Sequence, residues 1–163
     1  MDTIDDHTHL TKITANNIAI LGTHGSFTGA VATLQSPRDV NYLQIHGAAH
    51  TPGFDAQVEW INVTYFRMVA LLGVYVGQAT HSVAIQLYNF VTSTWDTFDK
   101  LEVGIWSTTA REEMWENHDF IVPACAAYIG TAGDLGDVRI RLSHPAAGNA
   151  NDHLYIDFAA LYR

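Results

Sequence analysis

Apolar and polar residues alternate with period two along most of the chain, and few stretches carry the three-to-four spacing of a surface helix, so strands are the predicted elements. In "DVRIRLSH", Val138, Ile140, Leu142 and His144 share one face, while Arg139, Arg141 and Ser143 share the other. In "LYIDFAALY", Leu154, Ile156, Phe158, Ala160 and Tyr162 alternate with Tyr155, Asp157, Ala159 and Leu161. Both of those faces are largely apolar, which predicts a strand covered on two sides. "HSVAIQLYNF" places Val83, Ile85 and Leu87 opposite Gln86 and Tyr88, and "YFRMVALLGVYV" is apolar throughout, as expected of a central strand. "FDAQVEWINV", "NYLQIHG" and "NIAILGTHGSFTGAVATL" supply the remaining strands.

Gly, Pro, Asn and Asp cluster between these runs, at "SPRD", "HTPGFD", "VGQATH", "STWDTFD", "TAGDLGD" and "SHPAAGNAND". Their spacing predicts about eight or nine strands in an all-β, antiparallel β-sandwich of jelly-roll type. One helical turn is predicted, at "TAREEMWEN", where Thr109 caps and Glu112 follows three residues later. Residues 1–10 read as a short N-terminal arm and residues 11–163 as the sandwich domain. The last two strands read as a terminal hairpin, with His144 pointing inward and Asp157 paired to Arg139 or Arg141 across it. A structural calcium at Asp157 is the alternative to that pair.

The chain has 163 residues, enough for one domain with a sizeable core. Eight basic against seventeen acidic residues give a formal charge of −9, which argues against nucleic acid as a partner. A polybasic membrane anchor is absent too, and the longest apolar run, from Met68 to Val76, is far too short to span a bilayer as a helix. Cys125 is the single cysteine, so neither an intrachain disulfide nor a cysteine zinc site is expected. "MDTIDDHTHLTK" is acidic and polar, unlike a secretory signal, and predicts a chain made soluble.

"GQATHSVAIQLYNFVTSTWDTF" and "GDVRIRLSHPAAGNANDHLYIDFAALYR" together resemble a group of bacteriophage virion proteins with a carbohydrate-binding-module-like jelly roll. The matching positions are His81, Tyr88, Asn89, Phe90, Trp95 and Asp96, then His144, Gly148, Asn149, His153, Tyr155, Ile156, Asp157 and Phe158. "HTPGFDAQVEW" resembles the entry to an earlier strand of the same group, so the likeness covers about two thirds of the chain from His50 onward. It implies a virion protein, either a capsid decoration subunit or a tail-associated module. His81, Tyr88, Asn89, His144 and Asp157 would then be structural motif positions.

Chemistry is sparse. Asn149, Asp152 and His153 sit in the terminal loop, where amide, carboxylate and imidazole can meet a sugar hydroxyl, and Trp95 lies in a turn where its ring can stack on a sugar. These four are the candidate glycan contacts. The His-x-His of "DDHTH" lacks further ligands in order, so no metal is expected there, nor any other cofactor. No nucleophile elbow, phosphate loop or pair of flanking carboxylates marks an enzyme. Glu112, Glu113 and Glu116 read as one solvated helical face.

The expectation is a non-enzymatic capsid decoration or cement subunit on the exterior of a virion. It would assemble with itself, as a trimer or other homo-oligomer, and with the major capsid protein. The alternative is a tail or fibre module that recognises host surface polysaccharide.

Overall fold

The computed structural model describes residues 9–37, 41–104 and 115–163. Eleven strands are found among them: β1 (Lys12–Thr14), β2 (Asn17–Ile20), β3 (Ser26–Thr28), β4 (Leu43–His46), β5 (Phe54–Trp60), β6 (Met68–Val76), β7 (Val83–Asn89), β8 (Thr94–Leu101), β9 (Glu116–Ile121), β10 (Val138–His144) and β11 (His153–Tyr162). They form two antiparallel sheets in a jelly-roll sandwich, one of six strands ordered β3-β4-β11-β6-β9 with β1 also on β11, the other of five ordered β2-β5-β10-β7-β8. The strands that the alternation did not mark are β1, only three residues long, β8, where "STWDTFD" read as a turn but Trp95 lies in the strand, and β9, whose start fell in the predicted helical turn.

The core lies between the sheets. From the five-stranded sheet come Phe54, Ala56, Val58, Trp60, Val83, Ile85, Leu87, Val138, Ile140 and Leu142, every one fully buried. From the six-stranded sheet, Leu43, Ile45, Val69, Leu71, Tyr75, Leu154 and Ile156 meet them. Burying each large apolar side chain contributes about 1.5–3 kcal/mol relative to exposure. Trp60, the largest, also satisfies its indole by donating to the Ile13 carbonyl at 3.1 Å, which ties β1 to the five-stranded sheet.

β11 departs from its predicted phase. Ile156 pairs with Gly73 and Phe158 with Leu72, so Asp157 is an extra residue in a β-bulge. Leu154 and Ile156 therefore face the core, but beyond the bulge it is Ala159 and Leu161 that do so, while Phe158, Ala160 and Tyr162 join Met68, Ala70 and Leu72 on the outer face. A period-two reading carried through Asp157 puts those residues on the wrong side.

The expected terminal hairpin is also corrected. β10 belongs to the five-stranded sheet and β11 to the six-stranded one, so "PAAGNAND" is an arch across the sandwich. Asp157 consequently has neither arginine as partner: Arg139 bonds Glu59, Asp134 and Asp137, and Arg141 bonds Asp55. Of the predicted helical turn, Thr109 and Glu112 lie outside the described residues, as does Glu113, whereas Glu116 and Asn117 open β9 as extended chain. Among the described residues there are three short 3-10 turns, at Val31–Leu34, Cys125–Tyr128 and Ala132–Asp134. Residues 1–8 of the expected arm lie outside the described residues. By Thr11 the chain is already bonded to Arg163 in both directions, at 2.9 and 3.0 Å.

Candidate functional site

Two groups of chemistry-bearing side chains stand at opposite ends of the five-stranded sheet. Pairing sets the distance between them: Leu142 lies across from Ile85 and Ile140 from Leu87, so the sheet runs from a His144 end to a Tyr88 end.

At the Tyr88 end, strand alternation turns Glu59, Arg139, Tyr88 and Trp95 outward. Glu59 is registered with Arg139, and Tyr88 with Trp95. Tyr88 packs edge-on against Phe90 and Trp95, with ring centroids 4.9 and 5.1 Å apart. The Arg139 guanidinium lies over Tyr88 and Phe90 at 5.9 and 5.2 Å, and that of Arg141 over Trp95 at 5.6 Å. Both cations are held by carboxylates: Arg139 by Glu59 (3.2 Å), Asp137 (3.0 Å) and Asp134 (2.5 Å), and Arg141 by both oxygens of Asp55. The Asp55 bonds hold the Arg141 pKa above its ordinary value. Next to this row, the Gln86 amide donates to Thr97 at 2.9 Å.

The β7–β8 turn is fixed by Asn89. Its carbonyl accepts from the backbone of Val91 (3.0 Å) and Thr92 (3.2 Å), and its amide donates to Asp96 at 2.9 Å. The Tyr128 hydroxyl donates to the same carboxylate at 2.9 Å. Asn89 first, then Tyr128, lower the Asp96 pKa below the usual carboxylate value. A neighbouring pocket of about 520 Å3, lined by Asn62, Val63, Ile129 and Leu135 among others, is mostly apolar and has no ionisable side chain in its wall.

Six histidines gather at the other end. His46 and His153 pair across β4 and β11 with rings 5.4 Å apart, and His24 stacks on His50 at 4.2 Å. The His50 carbonyl accepts from Gly148, and that of His144 from Gly53. His144 is fully buried, stacked on Phe54, with its Nε2 3.0 Å from the Tyr75 hydroxyl and 3.2 Å from Nδ1 of His81. Asp152 is fully buried as well. One of its oxygens accepts from the Asn149 N–H at 2.9 Å, and Asn149 accepts in turn from Asn151 at 2.7 Å, so the arch closes on itself. Burial pushes the His144 and His153 pKa values down, with help from the neighbouring imidazoles and against the pull of Asp152. Burial, together with Asp152, pushes the Tyr75 phenol up to about 12. Glycine is required here: a Cβ at Gly77 would lie 2.2 Å from the Tyr75 oxygen and 2.6 Å from Asp152, and one at Gly53 would lie 2.2 Å from His144.

Over 94% of its length the chain superposes on a point mutant of a family 29 carbohydrate-binding module complexed with mannohexaose, with a TM-score of 0.58, 10% identity and 92% of that chain covered. Another mutant of that module, complexed with cellulohexaose, superposes with a TM-score of 0.56, 11% identity and 94% and 89% of the two chains covered. The likeness is one of fold. No family model matches the sequence, and no curated protein sequence matches it.

The four sequence candidates for ligand contact are divided between the two ends. Trp95 belongs to the aromatic row, with Tyr88 and Asn89 beside it. Asn149, Asp152 and His153 lie at the histidine end with His81 and His144. Sequence reasoning missed Arg139 and Arg141 as members of the aromatic row, having assigned them to Asp157. Their signal was available, since they occupy the polar face of a strand whose opposite face is Val138, Ile140 and Leu142. Tyr75 was missed because it lies within a uniformly apolar run.

Proposed function

We propose that this protein is a non-catalytic glycan-binding module that receives a neutral polysaccharide chain along the outer face of the five-stranded sheet. The observation that carries this reading is the row of Trp95, Tyr88 and Phe90 backed by Arg139 and Arg141 on a half-exposed strand face. Aromatic rings stack on the apolar C–H faces of sugars, and guanidinium and amide donors orient the hydroxyls. Each arginine is matched by carboxylates, so the row offers donors without a net cationic field, which suits neutral rather than acidic sugars. The fold likeness to modules complexed with mannohexaose and cellulohexaose supports the same class.

The test is calorimetric titration with both hexaoses alongside a glycan-array screen. Trp95→Ala and Tyr88→Ala are each expected to weaken binding by about tenfold or more. The melting temperature should fall by only about 2–4 °C. An array without a binder, or affinity indifferent to Trp95→Ala, would sink the proposal.

The resemblance of the His81–Asp96 and His144–Phe158 stretches to virion proteins supports placing this module on the exterior of a phage particle, as part of a tail or fibre. Imaging of purified particles tests the placement. Lattice stoichiometry would favour the decoration subunit, and a few copies at the tail would favour glycan recognition.

A further inference from the structure

We infer that His81, His144 and Asp152 bind a divalent transition-metal ion of the zinc type, joining three chain segments at the histidine end of the sandwich. One ligand atom from each of the three residues lies within 4.8 Å of the others. The residues come from separate places: His81 from the β6–β7 loop, His144 from the last position of β10, and Asp152 from the end of the arch, just before β11.

Two features call for a cation here. The first is charge. Asp152 is fully buried and forms no ion pair with a lysine or arginine among the described residues, and its second oxygen meets the neutral Tyr75 hydroxyl without the geometry of an ordinary hydrogen bond. A buried carboxylate in that condition is costly unless a positive charge accompanies it. The second is the meeting of His81 Nδ1 and His144 Nε2 at 3.2 Å, with the Tyr75 oxygen 3.0 Å from the same Nε2. Nε2 has either one lone pair or one proton to share between two neighbours, so hydrogen bonding satisfies one contact at the expense of the other. Metal–nitrogen bonds of about 2.0–2.1 Å in a tetrahedral shell put two ligand nitrogens roughly 3.3 Å apart, close to the separation found. Asp152 closes the third position, and the Tyr75 hydroxyl or a water is placed for the fourth.

The donor set selects the ion. Two imidazoles and a carboxylate suit zinc and its neighbours, whereas calcium takes oxygen ligands almost exclusively. This site stands apart from the glycan reading, because it occupies the opposite end of the sheet.

The experiment uses the untagged full chain, stripped with a chelator and titrated with zinc against a chromophoric competitor, with cobalt absorption reporting the ligand geometry. One equivalent per chain is expected, with a tetrahedral cobalt spectrum and a melting temperature raised by about 5 °C. His81→Ala, at a half-exposed loop position, and Asp152→Asn should each weaken zinc by about a hundredfold. The double variant His7→Ala, His9→Ala should bind as the parent does. Absence of saturable binding, binding lost in that double variant, or full affinity in a folded His81→Ala variant would each overturn the assignment.

Discussion

On the outer face of the six-stranded sheet, Met68, Ala70, Leu72, Phe158, Ala160 and Tyr162 are buried, none more than 7% exposed. On the outer face of the five-stranded sheet, Gln57, Glu59, Gln86, Tyr88, Arg139 and Arg141 are all half-buried. The same pleated backbone underlies both. The difference is that β6 and β11 are covered on two sides and have lost their polar alternation, whereas β5, β7 and β10 keep it because one side is wet. Of the two faces, it is therefore the wet one that can meet a ligand while the fold stays intact.

The sharpest way to break that contrast is truncation on each face. Phe158→Ala should cost about 3–5 kcal/mol in urea denaturation, and Tyr88→Ala only about 1 kcal/mol, because its ring is already partly solvated. Equal losses would mean that the two faces are equally structural. A smaller effect is expected from the ion pair beneath the aromatic row. Arg141→Ala leaves the buried Asp55 without its bidentate partner and should cost about 2 kcal/mol, most of it recovered when Asp55→Leu is added.

Smallest is the acid response of Asp96, read by carboxyl NMR. Its folded pKa lies below the ordinary 3.8, so the stabilisation it contributes is present above that value and is lost as pH falls through the lower, folded pKa. Tyr128→Phe removes one of the donors and should move the titration upward, toward 3.8. A titration unmoved by this variant would detach Tyr128 from the turn.

Legibility in the sequence followed the same divide. Where one face is wet, as in Val83–Ile85–Leu87 or Val138–Ile140–Leu142–His144, the alternation marks the inner residues directly. Where both faces are dry, nothing in "LYIDFAALY" marks the point at which the phase slips, since the bulge is set by pairing with Gly73 and Leu72 rather than by local preference. Sheet membership was hidden for a related reason. A loop of this length can close a hairpin or cross a sandwich, and only the distant partners Gln86 and Ile45 decide that β10 and β11 part company. His81, His144 and Asp152 were each visible as polar residues in turns or at strand ends, but their meeting depends on that crossing.

The bulge at Asp157 also fixes where β11 can absorb a change in residue count. Ten residues of this strand run beside nine of β6, and the extra one keeps Leu154 and Ile156 in phase with the core while Phe158 and Tyr162 face the other way. Loss of Asp157 itself would leave nine residues beside nine, with every remaining side chain on its present face. Loss of a single codon at 159 would change the composition as little, yet it would turn every side chain on one side of the deletion to the opposite face. A one-residue deletion at Val91, in the exposed β7–β8 turn, carries no such reversal. Outside the bulge, an insertion or deletion in this strand is a graver lesion than most substitutions.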